Sequence, residues 1–413
     1  MKPIKNSKAD THFTARGGVM RSVKALRGIC VATGLTISLL LLAMASTALA
    51  ATTPGWECVP TTAGQAVVSG GTGATPSCSS GTAVLAPTYV SSGVGSKPTV
   101  QLSAVNLQII NGEGKTATTN GEGNLVIGYD ETPGTQTGSH NLILGGKQTY
   151  TSYGGILAGF ANAIKGPFAS ISGGASSTAS GTYSSVSGGD GNEATGEFSS
   201  ISGGQLSTAD NFATSVSGGR ENVADGSYSS ISGGWQNTAT IGKYAWVGGG
   251  YRNLAEGEWS AISGGKENTA SGSYSSVSGG ELNKAKGEWS AVSGGYFNTA
   301  SGKLSSVSDG RENIASGTNS SVGGGQANAA TNTYSSVSGG VSNTASGFGS
   351  SVSGGIENIA TNFESSVSGG EANKATGLQA WVGGGGKNTA EGEFSAIFGG
   401  EKLTAKGKYE AIP

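Results

Sequence analysis

From residue 156 onward a β-branched residue returns every fifteen positions, and almost everything between is small or polar. The column runs Ile156, Ile171, Val186, Ile201, Val216, Ile231, Val247, Ile262, Val277, Val292, Val307, Val322, Val337, Val352, Val367, Val382 and Ile397. Its spacing breaks once, between Ile231 and Val247, where "TATIGKYAW" carries one extra residue and predicts a bulge in a single coil. Internal repetition of this length outranks every other clue to fold. Three residues after each β-branched position stands a glycine in every copy, Gly159 to Gly400, the mark of a turn that a Cβ would obstruct. Ten residues after it stands a second glycine, replaced by Asn211, Asn332 and Asn362, and exchange with Asn alone predicts a left-handed backbone there. Two short extended legs thus alternate with two tight corners, one leg around "SSVSG" and the other around "ENVAD".

On the second leg Asn fills the sixth position after the β-branched residue in fourteen of seventeen copies. These include Asn192, Asn222, Asn237, Asn253, Asn268, Asn283, Asn298, Asn313, Asn328, Asn343, Asn358, Asn373 and Asn388. Ala follows two residues later in sixteen, so period two places both columns on one face. Stacked in register, the Asn column predicts a structural amide ladder, each side chain bonded to the copies above and below. One buried Val or Ile per coil does not offset the ordering of fifteen residues, so no coil stands alone. Stacking at about 4.8 Å turns seventeen coils into a rod about 80 Å long. The fold class expected is all-β, a parallel β-roll or β-solenoid of 15-residue coils. Its interior is thin in apolar volume, which predicts burial supplied by neighbouring chains, most simply in a trimer.

Ahead of the repeat, residues 113–155 hold looser and more apolar versions of the frame ("NLVIGYDE", "NLILGGKQ", "GGILAGFANAI"), read as irregular first coils and an N-terminal cap. Residues 51–112 are rich in Gly, Ser, Thr and Pro, with turn signals and no helical period. Residues 1–50 carry seven Lys and Arg, then an apolar run closing on Ala48, Leu49 and Ala50, which is the pattern of a secretory leader with a small-residue cleavage site. A membrane-spanning helix is the competing reading, but Thr33, Gly34, Thr36 and Ser38 dilute the run. Met20 is an alternative start. No Cys follows the run to carry a lipid anchor, and no transmembrane segment is expected in the mature chain. Export implies an oxidising compartment, in which the two remaining cysteines, Cys58 and Cys78, are expected to pair.

Composition agrees with an array rather than a conventional core: 75 glycines in 413 residues, with 12% charged. Loss of residues 1–50 leaves 17 basic against 25 acidic residues, a formal charge of −8, without a basic patch, so nucleic acid is not an expected partner. His140 is the one histidine left, so neither a histidine-based triad nor a histidine zinc cluster is available. A calcium-binding nonapeptide roll needs an Asp in every repeat, and the seventeen repeats hold only four, Asp190, Asp210, Asp225 and Asp309. "GEGNLVIG" is a glycine pattern with no helix after it. No cofactor and no catalytic site are expected.

The two positions before each Asn vary most. They supply the candidate ligand stripe: Arg220, Glu221, Trp235, Tyr251, Arg252, Lys266, Glu267, Tyr296, Phe297, Arg311 and Glu312. Variable residues on a fixed scaffold are where recognition resides, although a merely solvated edge varies as freely. A further column holds Tyr183, Phe198, Tyr228, Tyr274, Tyr334 and Phe394, with Trp246, Trp259, Trp289 and Trp381 nearby; packing between legs or chains is its first reading and a glycan platform its second. Thr fills the column between the Asn and Ala columns in eight copies, but Glu193, Lys284 and Lys374 interrupt the unbroken row that ice binding would want.

The frame "SVSGGRENVADGSYS" at 215–229 is similar to the YadA-like head repeat of trimeric autotransporter adhesins, with Ser215, Val216, Gly219, Ala224 and Gly226 matching its motif position by position. The resemblance covers about 255 residues. It implies a left-handed parallel roll, three chains side by side, export to a bacterial surface, and adhesion to host, matrix or glycan partners. The chain departs from the motif in a repeat of fifteen rather than fourteen, in Gly218 where the family has an aliphatic residue, and in Asn222 where it has a small one. No heptad stalk and no membrane strands follow, so anchoring by the family's own barrel is not expected. Phe398 and Leu403 break the polar columns beside the last coil and are expected to cover it, as at a natural C-terminus. A passive spacer or matrix component is the alternative to an adhesin.

Overall fold

The computed structural model describes the backbone of 55–59, 68–72, 82–86 and 88–90, and residues 94–102, 106–129, 131 and 136–413 in full. The leader at 1–50 lies outside the described residues, and so does Cys78, hence the Cys58–Cys78 pairing. Among the described residues no helix is long and apolar enough to cross a membrane. Two compact units divide at Val105 and Asn106. The first holds a three-stranded antiparallel sheet, with Gly55–Val59 between Val68–Thr72 and Thr82–Ala86, and a two-stranded pairing of Thr88–Val90 with Thr99–Gln101. The second is a parallel β-solenoid.

Three parallel ladders run the length of the solenoid. In the coil that contains Val216 they pass through Ser215–Val216, Val223–Ala224 and the single bridge at Arg220. Residues of each leg alternate in and out: Val216 and Ala224 are buried, while Ser215 and Val223 stand at the surface. Four inward columns fill the interior. Most coils give one Val or Ile, one Asn, one Ala and, one residue before the first leg, a Ser such as Ser229; in this coil all four are 0–1% exposed. The single chain therefore closes its own interior.

Glycine and left-handed residues direct the backbone between coils. Ser215, Ser217, Arg220, Val223 and Asp225 donate their N–H groups forward to Ser229, Ile231, Gly234, Asn237 and Ala239 at 2.8–3.0 Å. Glu221 and Tyr228 donate backward instead, to Gln205 and Phe212 at 2.8 and 2.9 Å. Both have positive φ, 53° and 62°, and their columns repeat it in every coil from 161 to 409, whether the residue is Glu, Leu, Arg, Tyr or Trp. A left-handed conformation costs an L-residue about 1–2 kcal/mol. Here it accompanies amides that bond the coil behind, and the two bonds offset that cost.

The glycine column ten residues after the β-branched one is not left-handed, contrary to the inference from Asn exchange. Neither these glycines nor Asn211, Asn332 and Asn362 have positive φ. Space is the reason: a Cβ on Gly257 would stand 2.0 Å from the Gly272 carbonyl oxygen of the next coil. Asn is accommodated there through its own bonds. Asn332 and Asn362 donate Nδ2–H to the Ser346 and Thr376 carbonyls, both at 3.0 Å, and send their N–H groups to Ser335 and Ser365 Oγ at 3.1 Å.

Register also corrects the head of the first column. Leu157, not Ile156, pairs with Ile171 and is buried; Ile156 pairs with Ser170 and is 46% exposed. Ile143, Leu157 and Ile171 are thus fourteen residues apart, and Leu142–Gly146 and Ile156–Phe160 run as unbroken five-residue strands. From Gly173 on, an extra glycine between leg and corner makes the repeat fifteen and leaves a two-residue leg followed by a separate bridge. The sixteen-residue coil takes its surplus at the other corner. Ile241 is extruded there at 83% exposure with φ 57°, and the ladders resume with Ile231 on Val247.

At the last coil Leu403 packs on the core and its N–H meets Asn388 Oδ1 at 2.9 Å. Phe398 does not cover the coil: it is 60% exposed, edge-on to Trp381 at 5.2 Å. Glu410 contributes instead, its Oε2 accepting the Lys406 and Gly407 N–H groups at 2.6 and 2.7 Å, which in earlier coils bond the coil ahead.

The inward Ser column was not evident from sequence. Seven of its hydroxyls, those of Ser184, Ser199, Ser260, Ser275, Ser290, Ser305 and Ser320, are buried without a protein partner, and Ala169, Ala245 and Ala380 fill the same position elsewhere. Replacing Ser275, Ser290 and Ser305 together by Ala is expected to leave stability unchanged or raise it by about 1 kcal/mol per site, because an unpaired buried hydroxyl carries a desolvation cost. Urea unfolding of the triple variant checks this; a loss above about 1 kcal/mol would give these hydroxyls a bonding role.

Candidate lateral binding surface

Each pair of variable residues sits on the corner between two ladders, the first in the single-residue bridge and the second left-handed beside it. Bridging fixes the first residue above its counterpart one coil earlier, so side chains about 4.8 Å apart interact along the axis. Arg220, Glu221, Trp235, Gln236, Tyr251 and Arg252 form one network. Glu221 accepts from Arg220 Nε at 2.8 Å, Gln236 Nε2 at 2.7 Å and Trp235 Nε1 at 3.2 Å. Arg252 Nε donates to Gln236 Oε1 at 2.7 Å. Hydrogen bonds from Gln236 and Trp235, and then the Arg220 charge, hold the Glu221 carboxyl below its ordinary range. Trp235 and Tyr251 lie 4.9 Å apart, tilted by 43°.

A second group gathers Tyr296, Phe297, Arg311 and Glu312. The rings are 6.2 Å apart, Arg311 lies over Tyr296, and Arg311 Nε donates to Glu312 at 3.1 Å. Lys284, from the outward column of the second leg, lies over Phe297 at 5.5 Å. Between the groups Lys266 pairs with Glu281 at 2.7 Å, with the Glu267 charge beside it. Gln236 is one of the two variable positions before Asn237, whereas Lys284, which completes the second group, was missed. Lys284 reaches across from another column and another coil, and spacing within one repeat does not show that.

The Asn column bonds to backbone rather than side chain to side chain, correcting the amide ladder. In the coil of Asn298, Nδ2 donates to Gly294 O at 2.9 Å in its own corner and to Gly310 O at 2.8 Å in the next, while Oδ1 accepts the Asn313 N–H at 3.0 Å. Among these thirteen asparagines an amide-to-amide bond occurs from Asn343 to Asn328, at 3.1 Å. Gln148 does the same work in a fourteen-residue coil, reaching Leu144 O, Gly159 O and the Asn162 N–H.

The other aromatic column is a continuous file. Tyr153, Phe168, Tyr183, Phe198, Phe212, Tyr228, Tyr244, Trp259, Tyr274 and Trp289 follow one another with centroids 4.0–6.5 Å apart, mostly near parallel. Shorter runs join Tyr334, Phe348 and Phe363, and Phe394 with Tyr409. Trp246 and Trp381 do not belong to it; they stand on the outer face of the first leg, each packed against the position of a glycine two residues on, Gly248 and Gly383. Near-parallel stacking turns ring faces toward each other and ring edges outward, which counts against a platform that stacks sugar rings.

His140 ties residues 111–118 to the solenoid, its Nε2 accepting the Asn111 N–H and Nδ1 bonding Thr116 O, both at 3.2 Å. Among the described residues no three His, Cys, Asp or Glu side chains gather as for a metal ion. No family model matches the chain, and no curated protein matches it either.

Proposed function

We propose that this protein is an exported, adhesin-like rod that binds host, matrix or glycan partners through the variable corner of its solenoid. The supporting observation is the division of labour within each coil. The inward positions and the left-handed turns are fixed by bonds between coils, whereas the two corner residues before Asn hold exposed Trp, Tyr, Phe and Arg whose replacement leaves the frame intact. We further propose left-handed winding, export by the leader at 1–50, a binding rather than catalytic role, and side-by-side association, most simply as a trimer. Association is supported by the aromatic file, whose Phe168, Tyr183, Trp259 and Trp289 are 40–51% exposed in one chain; contiguous apolar surface of that extent marks an interaction site.

Binding of the protein to intact cells, purified matrix proteins and glycans, compared with a variant carrying Ser at Trp235, Tyr251, Tyr296 and Phe297, tests the proposal. We expect at least tenfold weaker binding for the variant with unchanged circular dichroism, the scale on which interface aromatics act. Equal binding by both would move adhesion off this corner, and binding by neither would leave a passive spacer as the better reading. Light scattering is expected to give three chains per particle, and a monomer would remove the association.

A further inference from the structure

Aromatic residues occupy the two corner positions at five places, and each ring carries a cation. Lys147 lies over Phe160, Arg220 over Trp235, Arg252 over Tyr251, Arg311 over Tyr296 and Lys284 over Phe297, at 4.9–5.7 Å from the centroids. The three arginines share a further feature. Each is anchored through Nε to an acceptor on the corner, Glu221, Gln236 or Glu312, so the distal Nη pair is the unanchored end of a guanidinium already laid on a ring. The Arg220 and Arg311 side chains remain 55% and 59% exposed. A guanidinium held in this way loses little freedom when it meets a carboxylate in a two-pronged contact.

Two coils separate Arg220 from Arg252 and four separate Arg252 from Arg311, so the three groups span about 29 Å along the axis. A standard interface of about 800 Å² per partner is roughly 28 Å across. One partner of ordinary size can therefore reach both clusters. Trp, Tyr and Arg are the residues that dominate binding energy in protein interfaces. The faces of these rings are taken by cations and by the neighbouring ring, which leaves edges rather than the open face a sugar would stack on.

We propose that this corner, from Arg220 to Arg311, docks a protein partner that presents carboxylates, each received by one of the three ring-supported guanidiniums. The proposal rests on the adhesive reading and names its partner class. The test is biolayer interferometry of the exported protein against two probes, a random Glu–Tyr copolymer and oligogalacturonate. A variant with Gln at Arg220, Arg252 and Arg311 is compared with one carrying Gln at Lys243, Lys303 and Lys374, which lie in other columns and change the net charge equally. We expect salt-sensitive binding of the copolymer, weakened at least about tenfold by the arginine changes and less than about twofold by the lysine changes. Equal loss in both variants, or no copolymer binding, would overturn the site, and binding of oligogalacturonate alone would replace the protein partner with a glycan. Copolymer binding without cell binding keeps the site and removes adhesion; cell binding indifferent to the arginine changes keeps adhesion and removes the site.

Discussion

Asn298→Ala is expected to cost about 3–5 kcal/mol at its coil, and Asn298→Ser about half as much. Alanine abandons three bonds at once. Gly310 O keeps its bond from the Tyr296 N–H, but Gly294 O and the buried Asn313 N–H lose the partners that Asn298 gave them. An orphaned buried backbone group costs about 1–3 kcal/mol, and the Asn313 N–H, the half-buried Gly294 carbonyl and a small cavity together give the figure above. Serine has a precedent in the chain: Ser177 Oγ accepts the Asn192 N–H of the next coil at 3.2 Å and donates to Ala175 O in its own corner, but it makes no bond to the corner carbonyl of the next coil. Because each coil contacts only its neighbours, the damage is local, and a single global unfolding midpoint understates it. Native-state hydrogen exchange at the Asn313 amide reads it directly. Protection of that amide unchanged in the alanine variant would show that the Asn column is not what joins the coils.

The columns that were legible in the sequence are those in which one residue type meets one physical demand. Val216 and its counterparts had to be apolar, Gly219 and its counterparts had to lack a Cβ, and period two placed Asn222 with Ala224; together these give the parallel solenoid of about fifteen residues per turn. What Asn222 bonds to was not legible, because a side chain's face follows from spacing whereas its acceptors follow from where the adjoining corner carbonyls point. Exchange of Gly with Asn had two available causes, a left-handed backbone and a crowded carbonyl. Crowding is the operative one at Gly257. The residues that are left-handed, such as Glu221 and Tyr228, gave no sign of it, since reversed amides let any side chain stand there. Ile156 misled because the fourteen-residue coil above it lacks the extra glycine, so counting by fifteen lands one residue early.

The candidate surface was legible in its variable residues and illegible in its grouping. Arg220 and Trp235 are fifteen apart and so share a column, and their contact follows once the coils stack. Lys284 over Phe297 crosses from one column to another and skips to the next coil, a relation that needs coordinates. The aromatic file shows the same limit: Phe212, Phe348 and Phe363 lie one residue ahead of the column, yet their rings enter it at 5.2–5.5 Å from the next. Side-chain reach absorbs a shift of one residue that a column count treats as a break.

Gly218→Ala and Gly219→Ala are expected to behave oppositely although the residues are adjacent. At Gly219 φ is 87°, and a Cβ would stand 2.2 Å from Gly234 O and 2.6 Å from Asn222 Nδ2. Both are parts of the junction: the Gly234 carbonyl accepts the Arg220 N–H and the Asn222 amide, so moving it releases two inter-coil bonds. With strain, overlap and lost bonds combined, the expected loss is about 4 kcal/mol or more, among the largest for a single methyl group. At Gly218 nothing lies within 4 Å of the Cβ position and φ is not positive. Asp309 occupies the same place in another coil, and its carbonyl still accepts from Asn313 Nδ2 at 3.0 Å. Alanine at 218 is therefore expected to change stability by less than about 0.5 kcal/mol, or to raise it by up to about 1 kcal/mol by restricting the unfolded chain. Urea unfolding of the two variants side by side decides the matter. Similar losses in both would mean that the extra glycine which lengthens the repeat to fifteen is held by its conformation, and a tolerated Gly219→Ala would mean that the coils are not packed carbonyl to glycine along this corner.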